Sequence, residues 1–309
     1  MSGVPVIVVT EDLTSASLEW LAARADVRRV GSTEPTFAET MAAAAALIVR
    51  TYTTVDAAML DLAPNLRVVG RAGTGLDNID VDACCTRNIT VVNTPDANRQ
   101  AVVEYVTSIL MHMFRPLPGE VQGGLDAAAW AEARRAAVAT TQLSQCTLGI
   151  LGMGHIGRRV AEVAAAVGCA VQYHDVVEIP PAGRFGATSV GLETLLSSSD
   201  IVSVHVDGRS DNRHFLNQDR LALLQPHALL INTSRGFVID GEALAAALSS
   251  CPSMRAVLDV HEREPVPACD SLLGLPNARL LPHAASRTAE AQHAMSWVVR
   301  DVWSALTGE

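Results

Sequence analysis

Three residues able to handle protons and anions stand just past successive apolar runs in the second half of the chain. Arg235 follows Ala228–Asn232, Glu264 follows Arg255–Val260, and His283 follows Arg279–Leu281. Upstream, Gly152-Met153-Gly154-His155-Ile156-Gly157 forms a GxGxxG string. It is entered from the apolar run Thr147–Leu151 and left by a stretch with apolar residues at 156, 160, 163, 164 and 167. A glycine turn between a strand and a helix suits a pyrophosphate. An imidazole can move a proton near neutral pH, a carboxylate can orient it, and a guanidinium can grip a carboxylate with two parallel hydrogen bonds.

Each part of the glycine string has a physical task. Gly152 permits the tight turn, Gly154 lets the backbone approach the phosphates, and Gly157 lets helix and strand pack closely. The helix start at His155 and Ile156 offers free N–H groups and partial positive charge. A second apolar run ends at Asp175, 18 residues past Gly157. A carboxylate there can accept hydrogen bonds from the adenosine ribose and would repel a 2′-phosphate, which favours NAD over NADP. Val206, Thr233 and Asp259, at the ends of the neighbouring runs, complete the expected lining of the dinucleotide site. No comparable set indicates a metal: the string from His261 to Glu264 lacks the second histidine of HExxH, and the six cysteines form no CxxC pair.

The trio suits hydride transfer to a 2-keto acid. The carbonyl oxygen gains a proton as the carbon gains hydride, and His283 can supply it and take it back. Glu264 on the other ring nitrogen would fix the ring and favour imidazolium. Arg235 would bind the substrate carboxylate and polarise the carbonyl. Singly, each residue has an ordinary explanation: a capping or core histidine, a solvated acid beside Arg263, a surface turn. Their joint position favours chemistry, because ligands of open parallel sheets bind at the carboxyl ends of the strands.

Those strand ends belong to two alternating series. The first runs through Val4–Val9, Val27–Val30, Leu47–Arg50, Arg67–Gly70 and Thr90–Val92, with helix-like stretches over 17–25, 37–46, 55–62 and 81–87. The second continues from Thr147 through Ala170–His174, Ile201–Val206 and the runs named above. A long helix is expected from Gln100 to Phe114, a looser segment with a helical piece around Trp130 after it, and an amphipathic helix from Thr288 to Leu306. Strict alternation of strand and helix implies parallel sheets covered on both faces. The expected fold class is α/β, with two doubly wound parallel-sheet domains, and 309 residues agree with two domains of roughly 150 each.

Composition excludes several classes. At 49% hydrophobic and 18% charged, the chain can bury large cores. No apolar run is long enough to span a bilayer, and no signal-peptide pattern opens the chain, so a cytoplasmic location is expected. A net charge of −10 argues against nucleic acid as a partner. All 23 basic residues are arginine, in keeping with a composition bias that also shows in the alanines, and no lysine is available as Schiff base or general base.

The motifs together resemble the D-isomer-specific 2-hydroxyacid dehydrogenases over essentially the whole chain. The resemblance rests on Val69 to Asn78, Val91 to Pro95, Gly149 to Gly157, Asn232 to Gly236, Leu258-Asp259-Val260 with Glu264-Pro265, and Pro282-His283. It implies a flavodoxin-like substrate domain (1–98 with 284–309, the chain crossing back) and a Rossmann NAD-binding domain (99–283), with the active site in a cleft between them. It implies Arg235, Glu264 and His283 as the catalytic trio and a homodimer formed through segment 99–145. Ile48 to Thr51 and Arg71 to Gly75 resemble the 3-phosphoglycerate dehydrogenases, which implies that Arg50 and Arg71, with Ala72 and Gly73, meet an anionic substrate. Trp130 with Arg134-Arg135 loosely resembles the segment that reaches a neighbouring subunit's site there. With no regulatory domain after Glu309, serine feedback through one is not expected.

The chain departs from the family at Asp207-Gly208-Arg209, where Pro-Leu is usual, and at Ala284-Ala285, where glycine is usual. Two other readings stay open on the same scaffold: oxidation of phosphite or reduction of a phosphonate-bearing keto acid, and an NAD(H)-sensing, corepressor-like binding protein. The glutamine of the family's formate dehydrogenases is absent at Glu264.

Overall fold

The computed structural model describes residues 4–121 and 123–309; Met1–Gly3, in the expected first domain, and Gln122, in the expected dimer segment, lie outside the described residues. The chain divides into two compact units, Met1–Ala101 with Ser286–Glu309, and Val102–Ala285.

The first unit holds β1 (Val6–Val9), β2 (Asp26–Arg29), β3 (Ala44–Val49), β4 (Val68–Arg71) and β5 (Thr90–Asn93), all parallel, in the order β2-β1-β3-β4-β5. Between them run α1 (Ser15–Ala22), α2 (Phe37–Ala42), α3 (Ala57–Asp61) and α4 (Val81–Thr86). The central strands read as near-continuous apolar runs because both faces are covered. On β1, Ile7 and Val9 join one core and Val8 the other. The edge strand β2 instead reads Asp-Val-Arg-Arg, mostly exposed, which discourages pairing with another chain.

The second unit begins within α5 (Arg99–Phe114), continues through α6 (Ala127–Ala136), and builds a seven-stranded parallel sheet. Its strands are β6 (Thr147–Leu151), β7 (Ala170–His174), β8 (Thr188–Ser189), β9 (Ile201–Val204), β10 (Leu229–Asn232), β11 (Arg255–Leu258) and β12 (Ala278–Leu280), ordered β12-β11-β10-β9-β6-β7-β8. Its crossing helices are α7 (His155–Ala166), α8 (Leu192–Ser198), α9 (Gln218–Leu221) and α10 (Gly241–Ser250). The order reverses between β6 and β9, so the crevice for a ligand opens at their carboxyl ends.

The chain then returns to complete the first unit with α11 (Ala289–Ser296) and α12 (Val298–Thr307). Val298, Val299 and Val302 share a core with Ile48 and Val68 of the first sheet.

Two expectations are corrected, and one strand was not expected. The helix expected over 37–46 stops at Ala42, because Ala44 pairs with β1 and Ala46 with both β1 and β4, and both are buried there despite alanine's helix preference. The closing helix is two helices meeting at Trp297, whose N–H bonds the Ala294 carbonyl three residues back and so tightens the turn. The exposed two-residue strand β8 carries no apolar run and has no signal in the sequence.

Candidate active site

Gly152 follows β6 with φ +94°, and a Cβ there would lie 2.8 Å from the His205 and Val206 main chain. The turn thus needs glycine to fit against the segment leaving β9. A Cβ on Gly157 would meet the Gly152 carbonyl oxygen at 2.1 Å, so the helix approaches the turn as closely as backbone allows. A Cβ on Gly154, the residue preceding α7, would meet nothing within 4 Å. His155 and Ile156 form the first turn of that helix. Asp175 lies just past β7, where its Oδ2 accepts from the Met153 N–H at 2.6 Å and its Oδ1 from Val177 N–H at 2.9 Å. The acid is fixed to the glycine turn from the side opposite Val206.

Asn232, fully buried at the end of β10, shapes the next loop. Its oxygen accepts from Ser234 N–H and Oγ–H, and its amide donates to the Arg235 carbonyl. Thr233 buries its hydroxyl oxygen with no hydrogen-bond partner among the described residues. Arg235 donates through Nη1 to the Ser234 carbonyl at 2.7 Å. The loop presses on the segment after β11: a Cβ on Gly236 would lie 1.9 Å from the His261 carbonyl carbon.

That segment carries Glu264. Its Oε1 accepts from the His261 N–H at 3.0 Å and its Oε2 lies 2.8 Å from His283 Nδ1. Burial pushes the Glu264 carboxyl up, but His283, the His261 N–H and their charges outweigh it, and the group is held below the usual carboxylate range. His283 adopts φ +52°, a left-handed conformation uncommon for any residue with a side chain. Asp259, expected beside the dinucleotide, is fully buried, and its carboxylate accepts from Ala284 N–H, Ala285 N–H and the Tyr105 hydroxyl.

In the first unit, Arg71 Nε donates to the Arg50 carbonyl at 3.1 Å. A Cβ on Gly73, at φ +149°, would collide with the Arg71 guanidinium, and Ala72 beside it is buried. Glu11, just past β1, gathers the N–H groups of Arg50, Thr51, Tyr52 and Thr53 on its carboxylate. Burial raises the Glu11 carboxyl, yet these four bonds hold it below the usual range. Arg50 itself is lowered, by burial first and then by the charge of Arg287, against the pull of Glu11 and Asp12. The structure therefore joins Arg50 to Arg71, and Glu264 to His283, each pair within its own unit.

Glu11, Tyr105 and Arg287 were not singled out from the sequence. An acid directly past a strand was the one available signal for Glu11. Tyr105 read only as part of a helix. Among the described residues, no group of three or more His, Cys, Asp and Glu is placed to hold a metal ion, and no helix is long and apolar enough to cross a membrane.

The family model for the NAD binding domain of the D-isomer specific 2-hydroxyacid dehydrogenases matches residues 108–285. The chain is 34% identical to a D-3-phosphoglycerate dehydrogenase of Mycobacterium bovis, over 99% of this chain but 57% of that protein. It is 38% identical to an (S)-sulfolactate dehydrogenase of Chromohalobacter salexigens, over 83% of this chain and 82% of the relative. A glyoxylate reductase from Paecilomyes thermophila superposes with a TM-score of 0.84 at 28% identity, covering 100% of this chain and 97% of that one. An NADPH-dependent glyoxylate/hydroxypyruvate reductase from Sinorhizobium meliloti gives 0.82 at 29%, covering 98% and 93%. The chain belongs to the D-isomer specific 2-hydroxyacid dehydrogenase family. It spans little more than half the length of the mycobacterial phosphoglycerate dehydrogenases it matches.

Proposed function

We propose that the chain is an NAD-dependent dehydrogenase that interconverts a small anionic, phosphoglycerate-like D-2-hydroxy acid and its 2-keto acid. The observation that carries this is the 2.8 Å contact between Glu264 and His283, on the strand-end edge that also bears the glycine turn and Arg235. The residues fit a dinucleotide. Gly154 leaves open space, the first turn of α7 offers N–H groups, and Thr233 holds a buried hydroxyl without a partner among the described residues. Gly152, Gly154, His155, Ile156, Gly157, Asp175, Val206 and Thr233 are assigned to that site, and Asp175 to the choice of NAD over NADP; Asp259, fully buried with both oxygens bonded to the protein, is assigned to support it from behind rather than to line it.

A bound nicotinamide would give or take the hydride. The protein's own part is the proton and the grip. Glu264 holds Nδ1, so Nε2 of His283 is left to deliver a proton to the carbonyl oxygen in reduction and to remove it in oxidation. Arg235 binds the substrate carboxylate and polarises the carbonyl. Arg50 and Arg71, with Ala72 and Gly73, bind a second anionic group away from the reacting carbon. A phosphate is favoured by the mycobacterial relatives and a sulfonate by the sulfolactate dehydrogenase. We assign the substrate side to 1–98 with 284–309, the dinucleotide side to 99–283, and homodimer formation to segment 99–145.

The test is loss of NADH absorbance with a panel of keto acids: pyruvate, glyoxylate, phosphohydroxypyruvate, sulfopyruvate and a phosphonate-bearing keto acid, with phosphite assayed in the oxidative direction. Turnover preferring the phosphorylated or sulfonated acids supports the reading. Turnover of phosphite or the phosphonate alone moves the chemistry to that substrate. NADH binding without turnover of any would mark a corepressor-like sensor instead.

A further inference from the structure

We infer that Tyr105 is a positioning residue: through the buried Asp259 carboxylate, its hydroxyl fixes the main-chain turn that presents His283. The inference rests on the proposed role of His283 and goes beyond it, because it reaches to a helix with no residue in the catalytic trio.

Asp259 sits immediately past β11 and is fully buried. A carboxylate in that position is tolerated only when its lone pairs are met. Three donors meet them. The Tyr105 hydroxyl donates to Oδ1 at 3.0 Å, Ala284 N–H donates to the same oxygen at 2.9 Å, and Ala285 N–H donates to Oδ2 at 2.8 Å. Both N–H groups belong to the residues directly after His283. Capturing one on each oxygen fixes the two peptide planes that follow the histidine.

His283 needs that support. Its φ of +52° lies in a region that persists only where the surroundings over-determine it. Two carboxylates from one short segment supply the constraint in complementary ways. Glu264 holds the ring at Nδ1, and Asp259 holds the backbone behind it. The turn here reads Ala284-Ala285, so it lacks glycine's freedom and depends on a fixed anchor.

Tyr105 makes the anchor rigid. Its helix buries Val102, Val103, Val106 and Leu110 in the same core that holds Ala285, so the hydroxyl is presented from a packed element. Burial, and then the charge of Asp259, push the phenol well above its usual range. It therefore remains a donor at every working pH. Without it, Oδ1 loses one of two donors and the carboxylate can rotate, releasing the turn.

The experiment is Tyr105→Phe, which keeps the ring and removes only the hydroxyl, read alone and with His283→Ala. Keto-acid reduction should fall about tenfold in kcat, the low end for one hydrogen bond to a charged group, with NADH affinity changed less than about twofold. In the His283→Ala background, Tyr105→Phe should cost nothing further, because residues acting through one another are not additive. An equal loss in both backgrounds, or a matching loss of NADH binding, overturns the inference. A second readout does not depend on turnover. In protein labelled with ¹⁵N-histidine, the His283 imidazole signals, assigned by their loss in His283→Ala, should move or broaden in Tyr105→Phe while those of His227 stay. Unchanged His283 signals refute the role of Tyr105. Near-normal turnover in His283→Ala refutes the acid–base assignment instead, and the labelled spectra still decide on Tyr105.

Discussion

Glu264 uses its two oxygens for two different donors, a backbone N–H and an imidazole, and that division orients His283. Because its carboxyl is held below the usual range, it is an anion near neutral pH. Glu264→Gln keeps the size and removes the charge that supports imidazolium. The pH above which keto-acid reduction fades should therefore move down, seen in the pH profile of kcat/KM. His283→Ala should lower kcat by about 10²- to 10⁴-fold, the usual worth of general acid–base help, while NADH binding measured by fluorescence stays near that of the parent. An unchanged profile in Glu264→Gln, or near-normal turnover in His283→Ala, would move the acid–base pair to other residues. At the other candidate subsite, Arg50→Ala and Arg71→Ala should raise KM for phosphohydroxypyruvate or sulfopyruvate about 10- to 100-fold, the range for losing a charge-assisted contact. Equal increases for pyruvate would show that neither arginine reads a distal anion.

At the level of elements, the strand ends were legible because both sheets are parallel and covered on both faces, which leaves uninterrupted apolar runs such as Leu229–Ile231. Residues just past those runs could be named before any geometry was known. Contacts that cross the chain could not: Tyr105 lies 154 positions from Asp259, and Glu11 about forty from the loop it holds. Nothing in local periodicity carries such a pairing. Alanine misled for the opposite reason, since at Ala44–Ala46 tertiary pairing overrides an intrinsic preference.

Asp175 shows what an element's end contributes: the Met153 N–H fixes it to the glycine turn and the Val177 N–H to its own loop, on the edge proposed for the adenosine. Asp175→Ala should weaken NADH binding and narrow its preference over NADPH; tighter NADPH binding in the parent protein would remove the assignment. His205, past β9, makes a different prediction. Its Nε2 lies 2.8 Å from Ser203 Oγ, and burial pushes its pKa down to about 4. An unfolded histidine takes its proton near pH 6.5. The stability tied to neutral His205 is thus complete above that pH and declines as pH falls toward 4. A small exposed face limits the loss to about 1–3 kcal/mol. Thermal unfolding at pH 7.5 and 4.5 should show a smaller acid-induced fall in Tm for His205→Gln than for the parent protein. Equal falls would mean that other groups carry the acid sensitivity.

On the scale of the whole molecule, the segment after α5 is out of balance with the rest. The ten-residue helix α6 buries none of its side chains. Isolated helices shorter than about 12–15 residues are marginal in water, so α6 requires a surface to lie on. Around it, Leu117 is 93% exposed, Val138 73% and Trp130 50%, with Val121 and Leu125 also exposed. One exposed leucine would call for no explanation, but this concentration within one short segment does. A second copy of the chain, seated through segment 99–145, would cover these residues and give α6 its packing face. The parent protein should then sediment as a dimer at micromolar concentration. Leu117→Glu combined with Trp130→Glu should shift it to monomer and reduce the far-ultraviolet helix signal by roughly the one short helix that loses its support. Because Tyr105 stands on the helix that leads into this segment, the monomeric variant should also lose turnover beyond what unfolding of α6 alone accounts for. A parent protein that sediments as a monomer at those concentrations would leave the exposed apolar residues to some other partner and end the homodimer assignment.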